Sequence, residues 1–488
     1  MRRRTTPIGN QTDINDMQNN IFKLNKRYLT ATLLALISTG LQAQQATKPR
    51  LVISIVINQM TSECLDEYSE ALEDGGLKQL IASGKVYSSA TMPFPPTDAA
   101  SAITTIYTGT TPYYNGIASA SWLDRNSLKV VSCVDDSKYR GTGSYEGGSA
   151  ANVMTSMIGD ELKARTSNLG MVYSIAINRE AAILSASHSA NGALWVDNKT
   201  GRWNTSTYYL GGLPNWLDSF EKQSAYTTTA ENNNRVANAA INCIANASLG
   251  KDDNSDILAL TFEVEDDLNT YKQLNNDLGR LLKSAKDAVG ESSLLVVATG
   301  TGIAPRQKVD YELLRIPHGT FSIDHTAKLL DLYLNAIYGQ GKYVDGCVNN
   351  HIYLNSKLSE QKRIDVDELL SRSQVFLLET SGVGNVYSSR QLMTASSDLL
   401  APIRNSFNSN TCGDLIIETL PGWNLVNENT RQDITTQNAS AQFPIIIWGA
   451  GTKAERVSTP VSAVSIAPTI SKAIRIRAPN ACTAAPLR

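Results

Sequence analysis

The chain has 488 residues, 42% of them hydrophobic and 18% charged, with a formal net charge of −2. This is enough apolar material for one large core with insertions. The near-balanced charge gives no basis for nucleic acid or an anionic membrane surface as partner. Six cysteines lie far apart with no CxxC pair, which excludes finger-type zinc, and only four histidines are present to serve any other metal.

Residues 17–43 read as an export signal. Lys23, Lys26 and Arg27 precede an apolar run from Tyr28 to Ile37, and cleavage is expected after Ala43. The run is short for a bilayer span, so the signal predicts a periplasmic or secreted protein with no transmembrane segment after cleavage. An apolar run at 51–57 has the length and uniformity of a buried parallel strand. It ends at Asn58-Gln59-Met60, and a helical pattern follows over 64–80, broken by Ser83-Gly84. Pro93-Phe94-Pro95-Pro96 forces an extended loop. Thr97 or Asp98 is then placed to cap an alanine-rich helix running toward Tyr107.

Further strands are expected at 171–177, 256–262, 293–298, 413–420 and 443–448, with helices at 267–288, 323–336 and 466–473. The alternation predicts an α/β fold, a mostly parallel sheet sandwiched by helices, over 48–475. The stretch 118–250 is rich in Ser, Thr, Asn, Gly and Tyr, and is expected to be a cap inserted at the sheet's carboxyl edge.

The run Pro96-Thr-Asp-Ala-Ala-Ser-Ala-Ile-Thr-Thr-Ile-Tyr-Thr-Gly109 carries a resemblance, together with Ile57-Asn58-Gln59-Met60, Gly116-Ile117-Ala118 with Trp122, Leu213-Pro-Asn-Trp216, Gly302-Ile-Ala-Pro305 and Pro421-Gly-Trp423. The chain resembles the bacterial phosphate-monoesterase branch of the alkaline phosphatase superfamily, which also contains nucleotide pyrophosphatases. The resemblance implies two zinc ions, one activating a Thr or Ser nucleophile and the other stabilising the leaving oxygen. Such zinc takes carboxylate oxygen or imidazole nitrogen.

Position by position, the resemblance places other residues here. The strand-end Asp ligand becomes Asn58, and the nucleophile becomes Ala99. The Asp-His-Gly after a later strand becomes Gly300-Thr301-Gly302, and the C-terminal His becomes Gln442. The Asp-x-x-x-His pair has no visible counterpart among Glu263, Glu265, Asp266 and Asp267. Of the substrate contacts, the Asn becomes Ala120, and the Lys-x-Arg pair becomes Asn178-Arg179-Glu180. The implied zinc therefore lacks its ligands, and no cofactor is expected.

Other readings compete. Thr97 offers a shifted nucleophile, against its role as a helix cap. The acids at 263–267 offer calcium or magnesium ligands, against a solvated helix start. His188 reads as structural, and His318 with His325 lacks an assured third ligand. Trp195, Trp203, Tyr208, Tyr209 and Trp216 offer a glycan or peptide groove, against packing within the fold. The leading expectation is an exported pseudoenzyme that binds a protein or glycan partner. The rivals are an active phosphoester hydrolase with a different metal or shifted nucleophile, and a periplasmic glycan or peptide binder.

Overall fold

The computed structural model describes residues 48–142, 146–209, 211–217, 228–305, 311–394, 396–429, 431–434 and 439–488. The export signal expected at 17–43 lies outside the described residues. Across the main sheet the strands run in the order Glu455–Val457, Lys85–Thr91, Phe443–Gly449, Leu294–Gly300, Leu51–Asn58, Asp256–Glu263, Val172–Ile175, Gly192–Val196 and Trp203–Asn204. Val461–Ser462 adds to Lys85–Thr91. Leu51–Asn58 pairs in parallel with both neighbours, Asp256–Glu263 and Leu294–Gly300. Phe443–Gly449 runs antiparallel to both of its neighbours.

The central strand is apolar apart from Ser54 and Asn58 because both of its faces are covered. Val52 and Val56 join one core with Ile103 and Ile106. Ile53, Ile55 and Ile57 join the other with Leu274, Leu278 and Leu281 of the helix Leu268–Val289.

Three expectations need correction. The stretch 118–250 is not a separate cap, since it supplies Val172–Ile175, Gly192–Val196 and Trp203–Asn204 to the main sheet. Its polar composition comes from the connections, which hide these short strands. The strand expected at 413–420 forms as Leu415–Thr419 but belongs elsewhere. It pairs with His351–Leu354 and Val383–Ser388 in a four-stranded sheet with Val344–Val348. Beside it, Gly319–Ser322, Trp423–Asn427 and Gln432–Ile434 make a three-stranded sheet. These strands and the helices Ile323–Tyr338 and Val366–Leu378 enclose their own core around Leu330, Leu370 and Ile417. The helix expected at 64–80 is split into Ser62–Tyr68 and Gly76–Ser83, because Gly75 (φ 112°) and Gly76 (φ 48°) turn the chain between them.

The chain past residue 475 packs back onto the domain. Arg477 Nη2 and Nε bond Glu161, and Leu487 N–H donates to Thr469 Oγ1 at 2.8 Å. The compact unit accordingly extends from Lys48 to Arg488. No helix among the described residues is long and apolar enough to cross a membrane.

Candidate functional site

Ligands of open α/β sheets sit outside the carboxyl ends of the strands. Here Asn58 ends the central strand and lies in register with Glu263 on its neighbour. Asn178 follows the strand Val172–Ile175 and caps the helix Arg179–Ala186, its Oδ1 accepting from Ala181 N–H at 3.1 Å. The helix Ala99–Thr108 starts at the same edge. These ends surround a cavity of about 270 Å³ whose wall includes Asn58, Ala99, Ala120, Asn178 and Glu180. These five, with Asp98 and Glu263, make seven positions singled out by the sequence that converge.

The other positions matched by the resemblance do not line that cavity. Thr301 lies behind it, its hydroxyl donating to Asn58 Oδ1 at 2.9 Å. Gly300 is packed so closely that a Cβ there would meet Met60 O at 2.2 Å and Phe443 Cβ at 2.7 Å. Gln442 lines a neighbouring cavity with Glu63 and Asp266, and its carbonyl accepts from Ser62 N–H at 2.9 Å. Thr97, the alternative nucleophile, lines two further cavities, one with Pro96 and His351 and an open one with Gln59 and His318.

The cap of the Ala99 helix is Asp98. One carboxylate oxygen accepts from Ala100 N–H at 3.0 Å and Ser101 N–H at 3.4 Å. The other accepts from Ala120 N–H at 2.6 Å. Burial pushes this carboxyl up to about 6, against the downward pull of those hydrogen bonds. Glu180 accepts from Ser132 Oγ at 2.6 Å and pairs with Arg179 Nη2 at 3.1 Å. That guanidinium also holds Asp135 at 2.8 Å and is not among the groups lining the cavity. Glu263 is solvent-exposed at the end of its strand; partial desolvation by neighbouring protein raises its carboxyl, while a hydrogen bond from Asn58 lowers it.

The remaining candidates are engaged separately. Glu265 accepts from Thr229 Oγ1 at 2.6 Å, Asp266 from Tyr68 Oη at 3.0 Å, and Asp267 caps its helix through Thr270 N–H at 3.0 Å. His188 bonds Asp160 at 2.8 Å and the Val153 carbonyl at 3.0 Å, a structural clasp. His318 stacks on Tyr311, and His325 lies on the helix Ile323–Tyr338. Trp195, Trp203 and Tyr209 are buried, and Tyr208 and Trp216 pack against the two cores. Trp195, Trp203 and Tyr209 therefore fill the interior, and Tyr208 and Trp216 stay partly exposed against it.

The sequence reading missed cavity residues whose contribution depends on tertiary placement. Thr261 lies in the strand Asp256–Glu263 with its hydroxyl buried and without a hydrogen-bond partner. Asn198, Asn232 and Asn233 complete the wall. The Asn232-Asn233-Asn234 run in the first turns of the helix Thr229–Asn246 was the one local signal.

The sheet order, the helix that begins over its carboxyl edge and the cavity beneath define a protein built as an alkaline-phosphatase-type α/β hydrolase. A family model, type I phosphodiesterase / nucleotide pyrophosphatase, matches residues 52–442. The chain belongs to that family, within the alkaline phosphatase superfamily. It is 23% identical to alkaline phosphatase PafA of Elizabethkingia meningoseptica, over 95% of this chain and 98% of PafA. It is 24% identical to a protein of Myroides odoratus named calcium-transporting ATPase, over 92% and 96% of the two. The crystal structure of PafA superposes with a TM-score of 0.80 at 22% identity, covering 90% of this chain and 98% of that one. Murine ectonucleotide pyrophosphatase / phosphodiesterase 5, in an inactive threonine-to-alanine form in complex with AMP, superposes at 0.53 with 11% identity, over 88% and 95%.

The two zinc ions that the resemblance implies do not fit the residues present. Zinc needs ionised oxygen, imidazole or thiolate donors in a tetrahedral set. Among the described residues no group of three or more His, Cys, Asp or Glu is placed to hold a metal. At Gly300 the space for a ligand side chain is taken by Met60 and Phe443.

Proposed function

We propose that this chain no longer hydrolyses phosphoesters and acts as a non-catalytic binding or assembly component, exported to the periplasm or the cell surface. One observation carries the reading. The cavity at the sheet's carboxyl edge has alanine at the nucleophile position, with Asp98, Glu180 and Glu263 on its wall and, among the described residues, no Lys, Arg or His. A phosphoester anion at ~4 Å from one such carboxylate meets a repulsion of about 4 kcal/mol at an effective dielectric of ~20. Loss of an attacking residue alone costs roughly a million-fold in turnover. The alanine form of the murine relative, solved with AMP, supports the view that an inactive member can still hold a ligand. Export is supported by the charged and apolar pattern over 17–43.

The relative named alkaline phosphatase PafA keeps active hydrolysis as the second reading. The test is zinc analysis of the purified protein followed by an aryl-phosphate assay. The expected result is no zinc-dependent turnover. Two equivalents of bound zinc, with turnover abolished in Thr97→Ala, would establish the active hydrolase instead.

A further inference from the structure

The open groove that holds Gln59, Thr97 and His318 has a volume of about 1090 Å³ and shares no lining residue with the cavity beside Ala99. Ligand clefts commonly run to about 300–1,000 Å³, so this one has room for a molecule of several linked rings. Its floor follows from strand alternation. In the strands Gly319–Ser322 and Trp423–Asn427, Phe321 and Leu425 are register partners buried in the second core. Thr320 and Asn424 are register partners on the opposite face, and both line the groove. Asp433, opposite Val426, continues that polar row from the third strand. Thr320, Asn424 and Asp433 are all exposed, so a ligand can reach each of them.

The other walls add two kinds of group. Tyr311 and His318 stack with ring centroids 6.0 Å apart. Gly422 admits them, since a Cβ there would meet Tyr311 Cδ1 at 3.2 Å and His318 Cβ at 3.3 Å. Gln59 and Thr97, both partly exposed, line the groove from the main sheet's carboxyl edge. Their side chains, and that of Thr320, make no hydrogen bond with a described residue. Gln59 also holds a left-handed backbone (φ 64°), a conformation uncommon outside glycine that recurs at ligand sites.

Together these groups specify a ligand class. Hydroxyl, carboxamide and carboxylate side chains match the adjacent hydroxyls of a sugar, each of which both donates and accepts. The ring pair offers an apolar surface to the C–H face of a pyranose. Among the described lining residues no Lys or Arg is present to hold a phosphate or carboxylate, and Asp433 repels either. We propose that this groove binds a neutral oligosaccharide. One pyranose ring lies against Tyr311 and His318, and the hydroxyls bond Thr320, Asn424, Asp433 and Gln59. The assignment goes beyond the non-catalytic reading, because it uses no residue of the cavity beside Ala99.

The test is a glycan array probed with the full chain, with hits measured by isothermal titration. The probes are neutral oligosaccharides of glucose, mannose, galactose or N-acetylglucosamine, with oligogalacturonates as their anionic counterparts. At least one neutral oligosaccharide should bind saturably, and about tenfold or more tighter than any oligogalacturonate. Tyr311→Ala and Thr320→Val, each checked for fold by circular dichroism, should each weaken that binding by about three- to tenfold. No neutral oligosaccharide bound, oligogalacturonates bound as tightly, or affinity unchanged in both variants overturns the assignment. Saturable binding of a Ser-Gly repeat peptide in place of any saccharide overturns it as well.

Discussion

Replacing Asp98 by asparagine makes the enclosed charge measurable. Burial raises this carboxyl from 3.8 to about 6, while N–H donors from Ala120, Ser101 and Ala100 oppose the rise. Between those values the folded chain holds a proton that the unfolded chain has released. Stability from this group is therefore gained as pH falls through about 6, and is absent once the carboxylate is ionised in both states. Between about pH 7.5 and about pH 4.5 the linkage amounts to ~2 kcal/mol. Asparagine does not titrate, so the unfolding free energy of wild type minus variant should move by ~2 kcal/mol toward the wild type on acidification. Asparagine also sets an amide –NH₂ against Ala120 N–H, where a carboxylate oxygen now accepts at 2.6 Å. That mismatch costs about 1–3 kcal/mol, largely independent of pH, so it offsets both measurements alike. Urea unfolding of both proteins across this range, with unchanged slopes, gives the difference directly. A flat difference, or one that moves toward the variant in acid, would refute the enclosed-charge account of Asp98.

Three more outcomes are expected. Gly300→Ala should destabilise the fold by about 1–3 kcal/mol in chemical denaturation, because its Cβ would press on the Met60 carbonyl and the Phe443 side chain; a neutral substitution would contradict the close packing. His188→Gln should cost about 1–2 kcal/mol near pH 6 and less in base. Burial opposes protonation of His188, yet Asp160 and the Val153 carbonyl prevail and raise its pKa, so the contribution is fully present below the unfolded value of 6.5 and lost as pH rises through the folded one; a loss that grows in base would reject the assignment. Ala99→Thr should give no zinc-dependent aryl-phosphate turnover, since a restored hydroxyl still lacks a metal to activate it; measurable turnover would show that a metal site forms.

The main sheet was legible where strands are buried on both faces. Leu51–Asn58 and Leu294–Gly300 read as unbroken apolar runs because no residue of either faces open solvent. The second, smaller core was not legible. Its strand Val344–Val348 is only partly buried, and Leu415–Thr419 pairs with His351–Leu354 across a long stretch of sequence, so no local pattern announces the sheet. Within the site, Asn58 and Ala99 could be found because they sit at fixed places in motifs. The reach of Asp98 to Ala120 could not, because it joins two loops that only the fold brings together. Thr261 was equally hidden: a threonine in an apolar strand looks like ordinary β-sheet composition until its hydroxyl is seen without a partner.

The positions that the resemblance singles out fall into two groups of different character. Behind the cavity wall, Thr301 donates a neutral hydrogen bond to Asn58, and Gly300 lets Met60 and Phe443 pack closely together. Nothing there calls for an ion, because no charge remains to be balanced. In front, Asp98, Glu180 and Glu263 still face a cavity, and only Glu180 has a cationic partner. Acids in front of a neutral back wall fit the proposed non-catalytic reading, in which the pocket binds and performs no displacement across its centre.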